Sequence, residues 1–356
     1  MDRIRFAIVG GGWRSEFFLR IAQAVPERFE VAALVVRDEA KGAVISKKWD
    51  VPVFRDIASL LRETSPDFVV TSVPSAVNPE MMGELAKAGM PVLSETPPAK
   101  DTASMVALYN QLKDAKIQVA EQYPFQPLHA ARIAIAQSGK LGTVSHASVS
   151  AAHGYHGICL MRKLLGVAFQ QAVIQATRFT APIIAGPGRG GGPTSEQVVS
   201  SAQVIAHFQF GDKLGVYDFT GDQYFSWIRS QRVLARGERG EINNREVRYL
   251  RDYKSPVQLE LKRMNAGEEG NLEGYYHKGI MAGDEWIYRN PVAPGRLTDD
   301  EIAIADCLIR MGDYSRGGAS FYGLAEGCHD QYLALLIQQS LETGAPVRSE
   351  RMPWDD

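Results

Sequence analysis

The segment VGGGWRS, Val9 to Ser15, joins an apolar run to an amphipathic one, and its spacing can do chemistry. Gly10 and Gly12 take the first two positions of a G-x-G-x-x-G/A pattern, and Ser15 takes the third. The first glycine permits a tight turn after a strand, and the second lets backbone N–H groups approach a diphosphate. A small third residue lets the next helix pack closely on the strand. Trp13 and Arg14 complete a turn that opens a helix, whose N-terminal dipole favours an anion. Glycine-rich turns also close strands that bind nothing, so the position of this one after the first strand of an alternating β/α segment is what points to a dinucleotide. The second strand ends LVVRD, with Val36 where an acid would hold the adenosine ribose. Arg37 follows, and an arginine there can pair with a 2′-phosphate or lie on the adenine, which tilts the choice toward NADP. Asp38 keeps NAD open, and a solvated surface cation is the plainer reading of Arg37.

A second stretch, VLSETPPAK from Val92 to Lys100, sets an acid, a threonine and two prolines after a short strand. Prolines end strands for steric reasons alone, so a simple turn explains it equally well until its surroundings are known. Further on, His153 and His156 stand three apart and could share one helix face as metal ligands. No carboxylate or cysteine cluster accompanies them, and no metal is expected. Tyr224, Phe225 and Trp227, and later Tyr275, Tyr276 and Trp286, sit in polar context, as the walls of a sugar-sized pocket or as ordinary core and subunit contacts do.

These residues must be held by elements whose pattern changes along the chain. IRFAIVG, EVAALVV, DFVVTSV, PVLSE and IQVAE read as buried strands. Helical segments separate them at Ser15 to Val25, DIASLLRETS, NPEMMGELAKAG and Thr102 to Ala115. Apolar strands alternating with helices predict a doubly wound parallel sheet, the first domain, over residues 1–122. After a helix at His129 to Ser138, seven runs alternate polar and apolar residues, GEINNREVRYL among them as a single run. They predict a second, α+β domain over 123–356 with a large, mostly antiparallel sheet, closed by helices at Asp299 to Met311 and Gly323 to Thr343. AGPGRGGGPTSEQ is too rich in glycine and proline for a regular element and reads as a mobile loop. One face of the antiparallel sheet would stay uncovered in a monomer, so a homo-oligomer, a dimer or tetramer, is expected.

Composition narrows the partners. A net charge of −2 with interspersed signs gives no basic face for nucleic acid, and no apolar run reaches the ~20 residues that span a bilayer. The N-terminus enters a strand pattern at once, which makes cytoplasm the default expectation. Cys159, Cys307 and Cys328 are odd in number and widely spaced, so buried thiols are expected. A small-molecule partner is favoured.

A Rossmann half followed by an antiparallel half, with SVPSAVNPEMMGELAKAGMPVLSETPPA between them, resembles the Gfo/Idh/MocA family of NAD(P)-dependent oxidoreductases over nearly the whole chain. VPSAVN and KAGMPV stand for the family's turns around the fourth and fifth strands, and QYPFQP and SGKLGTVSHASV for its bridge into the second domain. The resemblance implies cofactor contacts at Val73, Pro74, Asn78, Glu95, Thr96, Pro97 and Gln122, besides the glycine turn and Arg37. YHGICLMRKLLG resembles the helix bearing the family's catalytic histidine, and His156 falls on it. The family's acid-lysine-proline triplet reads Glu95, Thr96, Pro97, so a threonine replaces the lysine. Ala152 stands where an aspartate one turn before the histidine would be, Asn78 where a histidine is common and Pro124 where an arginine often is.

The expected activity is oxidoreduction of a sugar, cyclitol or related hydroxyl or carbonyl compound with NADP or NAD. His156 is the proton-transfer group, since imidazole titrates near neutrality. Tyr155 and His153 are candidate helpers, and Thr96 offers a hydrogen bond to a hydroxyl in place of a charge. Lys163 reads as a surface cation before it reads as a displaced catalytic lysine. Losing both lysine and aspartate motivates two other readings. One is a nicotinamide-binding sensor or regulatory protein without turnover. The other is an enzyme using bound nicotinamide for imine reduction or redox-assisted lyase chemistry.

Overall fold

The computed structural model describes residues 3–270 and 272–355. Its first half alternates β1 (Ile4–Val9), α1 (Ser15–Ala24), β2 (Phe29–Val35), α2 (Glu39–Trp49), β3 (Val53–Phe54), α3 (Ile57–Glu63), β4 (Phe68–Thr71), α4 (Asn78–Lys87), β5 (Val92–Ser94), α5 (Thr102–Leu112) and β6 (Ile117–Val119). The strands form a wholly parallel sheet in the order β3-β2-β1-β4-β5-β6. This is a Rossmann fold, as its sequence predicts. The order reverses between β1 and β4, and such a switch point opens a crevice at the strands' C-terminal ends. Burial of both faces explains the unbroken apolar runs: Phe6, Ala7 and Ile8 are fully buried, and Phe6 stacks on Phe68 with centroids 5.8 Å apart. The periodicity missed α2, of which only Gly42 is buried, and β3, which is two residues long. Neither leaves an apolar stripe to read.

The second half comprises α6 (Pro127–Gln137), β7 (Val144–Ser150), α7 (Gly154–Leu165), β8 (Val173–Ile184), β9 (Val198–Phe210), β10 (Lys213–Thr220), β11 (Arg232–Gly237), β12 (Gly240–Asn243), β13 (Glu246–Asp252), β14 (Ser255–Ala266), β15 (Tyr276–Ala282), β16 (Glu285–Arg289), α8 (Asp299–Ser315), α9 (Leu324–Thr343) and β17 (Val347–Arg348). An eleven-stranded sheet runs β16-β15-β14-β13-β12-β11-β7-β10-β9-β8-β17, antiparallel except where β7 meets β10. GEINNREVRYL is a hairpin and not the single run expected, because Asn244 turns the chain at a φ of 55°, which asparagine tolerates. The hairpin β15–β16 has no counterpart in the sequence reading, and α8 runs on to Ser315.

Helices α6, α7 and α9 pack on one face of this sheet, while the other presents Phe179, Ile205 and Leu214 to the outside. Helix α8 returns to the first sheet, where Ile302, Ile304, Leu308 and Met311 share a core with Ile4, Phe6 and Phe18, and Arg20 pairs with Glu301 at 2.7 Å. A side-chain tie secures α9 as well: the Gln118 carbonyl on β6 accepts hydrogen bonds from Ser320 and from the N–H groups of Phe321 and Tyr322. The segment 185–197 forms no regular element, apart from one bridge between Gly188 and Gly191. The three cysteines are free and buried. Among the described residues no helix is long and apolar enough to cross a membrane.

Candidate functional site

The glycine turn lies at the switch point, and its glycines do different work. Gly10 has a φ of 122°, and a Cβ there would lie 2.1 Å from the Ser72 carbonyl at the end of β4. Only glycine lets β1 turn so close to its neighbour. A Cβ on Gly11 would press on Ile45 and Val36. A Cβ on Gly12 would meet nothing within 4 Å, so space stands open beside its backbone. Ser15, buried, bonds its hydroxyl to the Gly10 carbonyl at 3.1 Å and locks the turn onto α1, which has no side-chain cap. Open space, a tight turn and an uncapped helix start fit a dinucleotide diphosphate. At the far end of this crevice Val36 is buried, Arg37 is exposed and has no bonded partner among the described residues, and Asp38 caps α2 through the Lys41 N–H.

From the turn, contacts lead to the second domain. Arg14 pairs with Glu95 at 2.7 Å, both largely buried. Glu95 precedes Thr96, whose peptide to Pro97 is cis. The Thr96 side chain lies beside the Tyr155 hydroxyl, which burial above all pushes well above its usual range. The Tyr155 ring lies 4.3 Å from that of His156. Thus VLSETPPAK is more than a turn: its acid and threonine join the glycine turn to the helix bearing His156. Asn78 is buried and ties Ser94 at 2.8 Å to the loop after β5. Val73 packs beside Gly10, and Pro74 accepts the N–H groups that start α4. Gln122 is buried with its side-chain carbonyl oxygen unpartnered among the described residues, a group that can receive a ligand's donor.

His156 sits in the first turn of α7, which Tyr217 anchors by accepting the Gly154 N–H at 2.9 Å. Its Nδ1 is 2.6 Å from Glu121 Oε2, a partner the sequence reading did not single out. Glu121 stands just beyond β6, 35 residues away, as the last residue of the run IQVAE, which reads only as a strand. Ala152 is fully buried, and Pro124 is buried beside Tyr123, whose ring lies 4.4 Å from His156. His153 is exposed and contacts the Tyr224 hydroxyl through Nδ1 at 2.6 Å. Lys163 pairs with Glu326 at 2.6 Å, away from this group.

Of the aromatics, Tyr224 joins the site. Phe225 and Trp227 flank the glycine-rich loop, whose Arg189 lies 3.9 Å above the Trp13 ring. Tyr275, Tyr276 and Trp286 lie on or beside β15 and β16, toward the opposite edge of the sheet from β8. Among the described residues no group of three or more His, Cys, Asp or Glu gathers as metal ligands would.

Residues 4–123 match the family model described as an oxidoreductase family with an NAD-binding Rossmann fold, GFO_IDH_MocA. An uncharacterized protein of Saccharomyces cerevisiae is 28% identical over 150 residues, which are 40% of this chain and 42% of that protein's length. Levoglucosan dehydrogenase in complex with NADH superposes with a TM-score of 0.69 at 15% identity, over 99% of this chain and 100% of its own. A myo-inositol dehydrogenase from Corynebacterium glutamicum gives 0.65 at 15%, over 98% and 100%. At such identities the likeness to the solved structures is one of fold.

Proposed function

We propose, for a chain whose residues 4–123 belong to the NAD-binding Rossmann fold of the Gfo/Idh/MocA oxidoreductase family, that it is a cytoplasmic NAD(P)-dependent oxidoreductase acting on a sugar, cyclitol or related hydroxyl or carbonyl compound. One observation carries the reading: the line of contacts from the glycine turn through Arg14, Glu95, Thr96 and Tyr155 to His156, which joins a dinucleotide turn to an imidazole. The sugar and inositol dehydrogenases of the same fold support the substrate class.

Gly10 to Ser15 hold the diphosphate, and Gln122 accepts a donor from cofactor or substrate. Arg37, exposed and without a bonded partner among the described residues, favours a 2′-phosphate and hence NADP. A bound nicotinamide supplies or accepts the hydride. His156 takes the hydroxyl proton in oxidation and returns it in reduction. Tyr155, kept protonated by burial, donates a hydrogen bond to the reacting oxygen beside Thr96. Without the lysine's ammonium at position 96 the enzyme is slow, because one such electrostatic donor is worth about 2.7–4 kcal/mol of transition-state stabilisation.

The test is a panel of polyols, keto-sugars and imines, followed through the absorbance of reduced nicotinamide. A polyol or keto-sugar substrate with NADP preferred, and turnover abolished in His156→Ala, is the expected result. Tight cofactor binding without any turnover makes the chain a sensor, and activity on imines alone moves it to the other chemistry. Wild-type rates in His156→Ala make that residue structural.

A further inference from the structure

We infer that Glu121 is the positioning residue of His156, supplying from the end of the first sheet the carboxylate that the chain lacks at position 152. The inference rests on the reading of His156 as the proton-transfer group. Their contact is 2.6 Å between Nδ1 and Oε2, and the two side chains are only 7% and 1% exposed. Water therefore competes little for either partner, and a charge-assisted hydrogen bond in such surroundings is strong. The other carboxylate oxygen accepts the Tyr123 N–H at 3.1 Å, so Glu121 is itself held in place. The rings of Tyr123 and Tyr155 pack on the imidazole at 4.4 and 4.3 Å and limit its rotation.

An ionised carboxylate only accepts, so the proton of this contact belongs to Nδ1. In neutral imidazole that leaves Nε2 with its lone pair, and no bond to Nε2 is made among the described residues. When an alcohol is oxidised, its O–H bond breaks and the proton passes to Nε2; a bound nicotinamide would take the hydride from the same carbon. The imidazolium formed is balanced by Glu121 until its proton leaves to water. Reduction runs the same steps backward. Ala152 is fully buried, and its methyl offers no acceptor for the imidazole. The acid comes from just beyond β6 and ties the proton-transfer group to the domain of the glycine turn.

The test uses the full chain, with Glu121→Gln and Glu121→Asp, both first shown to be folded by circular dichroism. ¹⁵N NMR of the cofactor-free protein should show His156 protonated on Nδ1 and bare at Nε2. Glu121→Gln, which can donate to Nδ1, should reverse that tautomer, and Glu121→Asp should retain part of the original population. With a substrate from the panel, Glu121→Gln should lower kcat about a hundredfold or more with KM changed little; removal of such a carboxylate in a serine protease lowers kcat ~10⁴-fold. An unchanged tautomer in Glu121→Gln, or an unchanged kcat, overturns the inference. If the wild type proves inert on the panel, the tautomer measurement still decides the role of Glu121, while the proposed activity fails separately.

Discussion

Two glycines in one turn should respond oppositely to substitution. At Gly10 the backbone φ of 122° is one that side chains rarely adopt, and a Cβ would stand 2.1 Å from the Ser72 carbonyl. Such a backbone position costs a non-glycine residue about 1–3 kcal/mol, and the clash must also push β1 from β4. Gly10→Ala should therefore lose about 3 kcal/mol or more and melt about 5 °C or more lower. Gly12 has neither constraint, since nothing lies within 4 Å of its Cβ position. Gly12→Val should stay within about 0.5 kcal/mol of wild-type stability. Its side chain fills the space assigned to the diphosphate and denies it charge-assisted bonds worth about 1.5–3 kcal/mol each, so losing two raises Kd about a hundredfold or more. Thermal melts and titration calorimetry with NADP and NAD measure both arms. Wild-type affinity in Gly12→Val would refute the assignment of the turn, and wild-type stability in Gly10→Ala would refute the packing argument.

Three further outcomes follow from the packing. His129 is buried, and its pKa is lowered to about 3 by burial and then by Arg132, so it folds neutral. Stability is then full above the unfolded value of about 6.5 and falls on acidification, on the order of 2 kcal/mol by pH 5; His129→Gln should flatten that slope in urea titrations. Gln118→Leu strands the buried N–H of Tyr322 and the part-buried N–H of Phe321 and should cost about 2–5 kcal/mol by urea unfolding, whereas a smaller loss would mean that water replaces the amide. The outer face with Phe179, Ile205 and Leu214 is expected to hold copies of the chain together; light scattering should find a dimer or tetramer at micromolar concentration and a monomer in Ile205→Glu.

Local patterns determined the parts of this protein that are local. Buried apolar strands, the amphipathic helices between them and the glycines of VGGGWRS each act within a few residues, so the Rossmann fold and its switch-point turn were legible in the sequence. The later change to alternating strands likewise announced a second, antiparallel sheet. What the tertiary structure decided was which side chains meet. Glu121 lies 35 residues from His156, at the end of a strand run that gives no sign of its partner, and only the docking of α7 against the end of β6 brings them to 2.6 Å. The same holds for Thr96 with Tyr155 and Arg14 with Glu95. A residue type and its spacing tell what a group can do, but a proton-transfer site depends on distance and burial, and those are set by the packing of segments far apart in the chain.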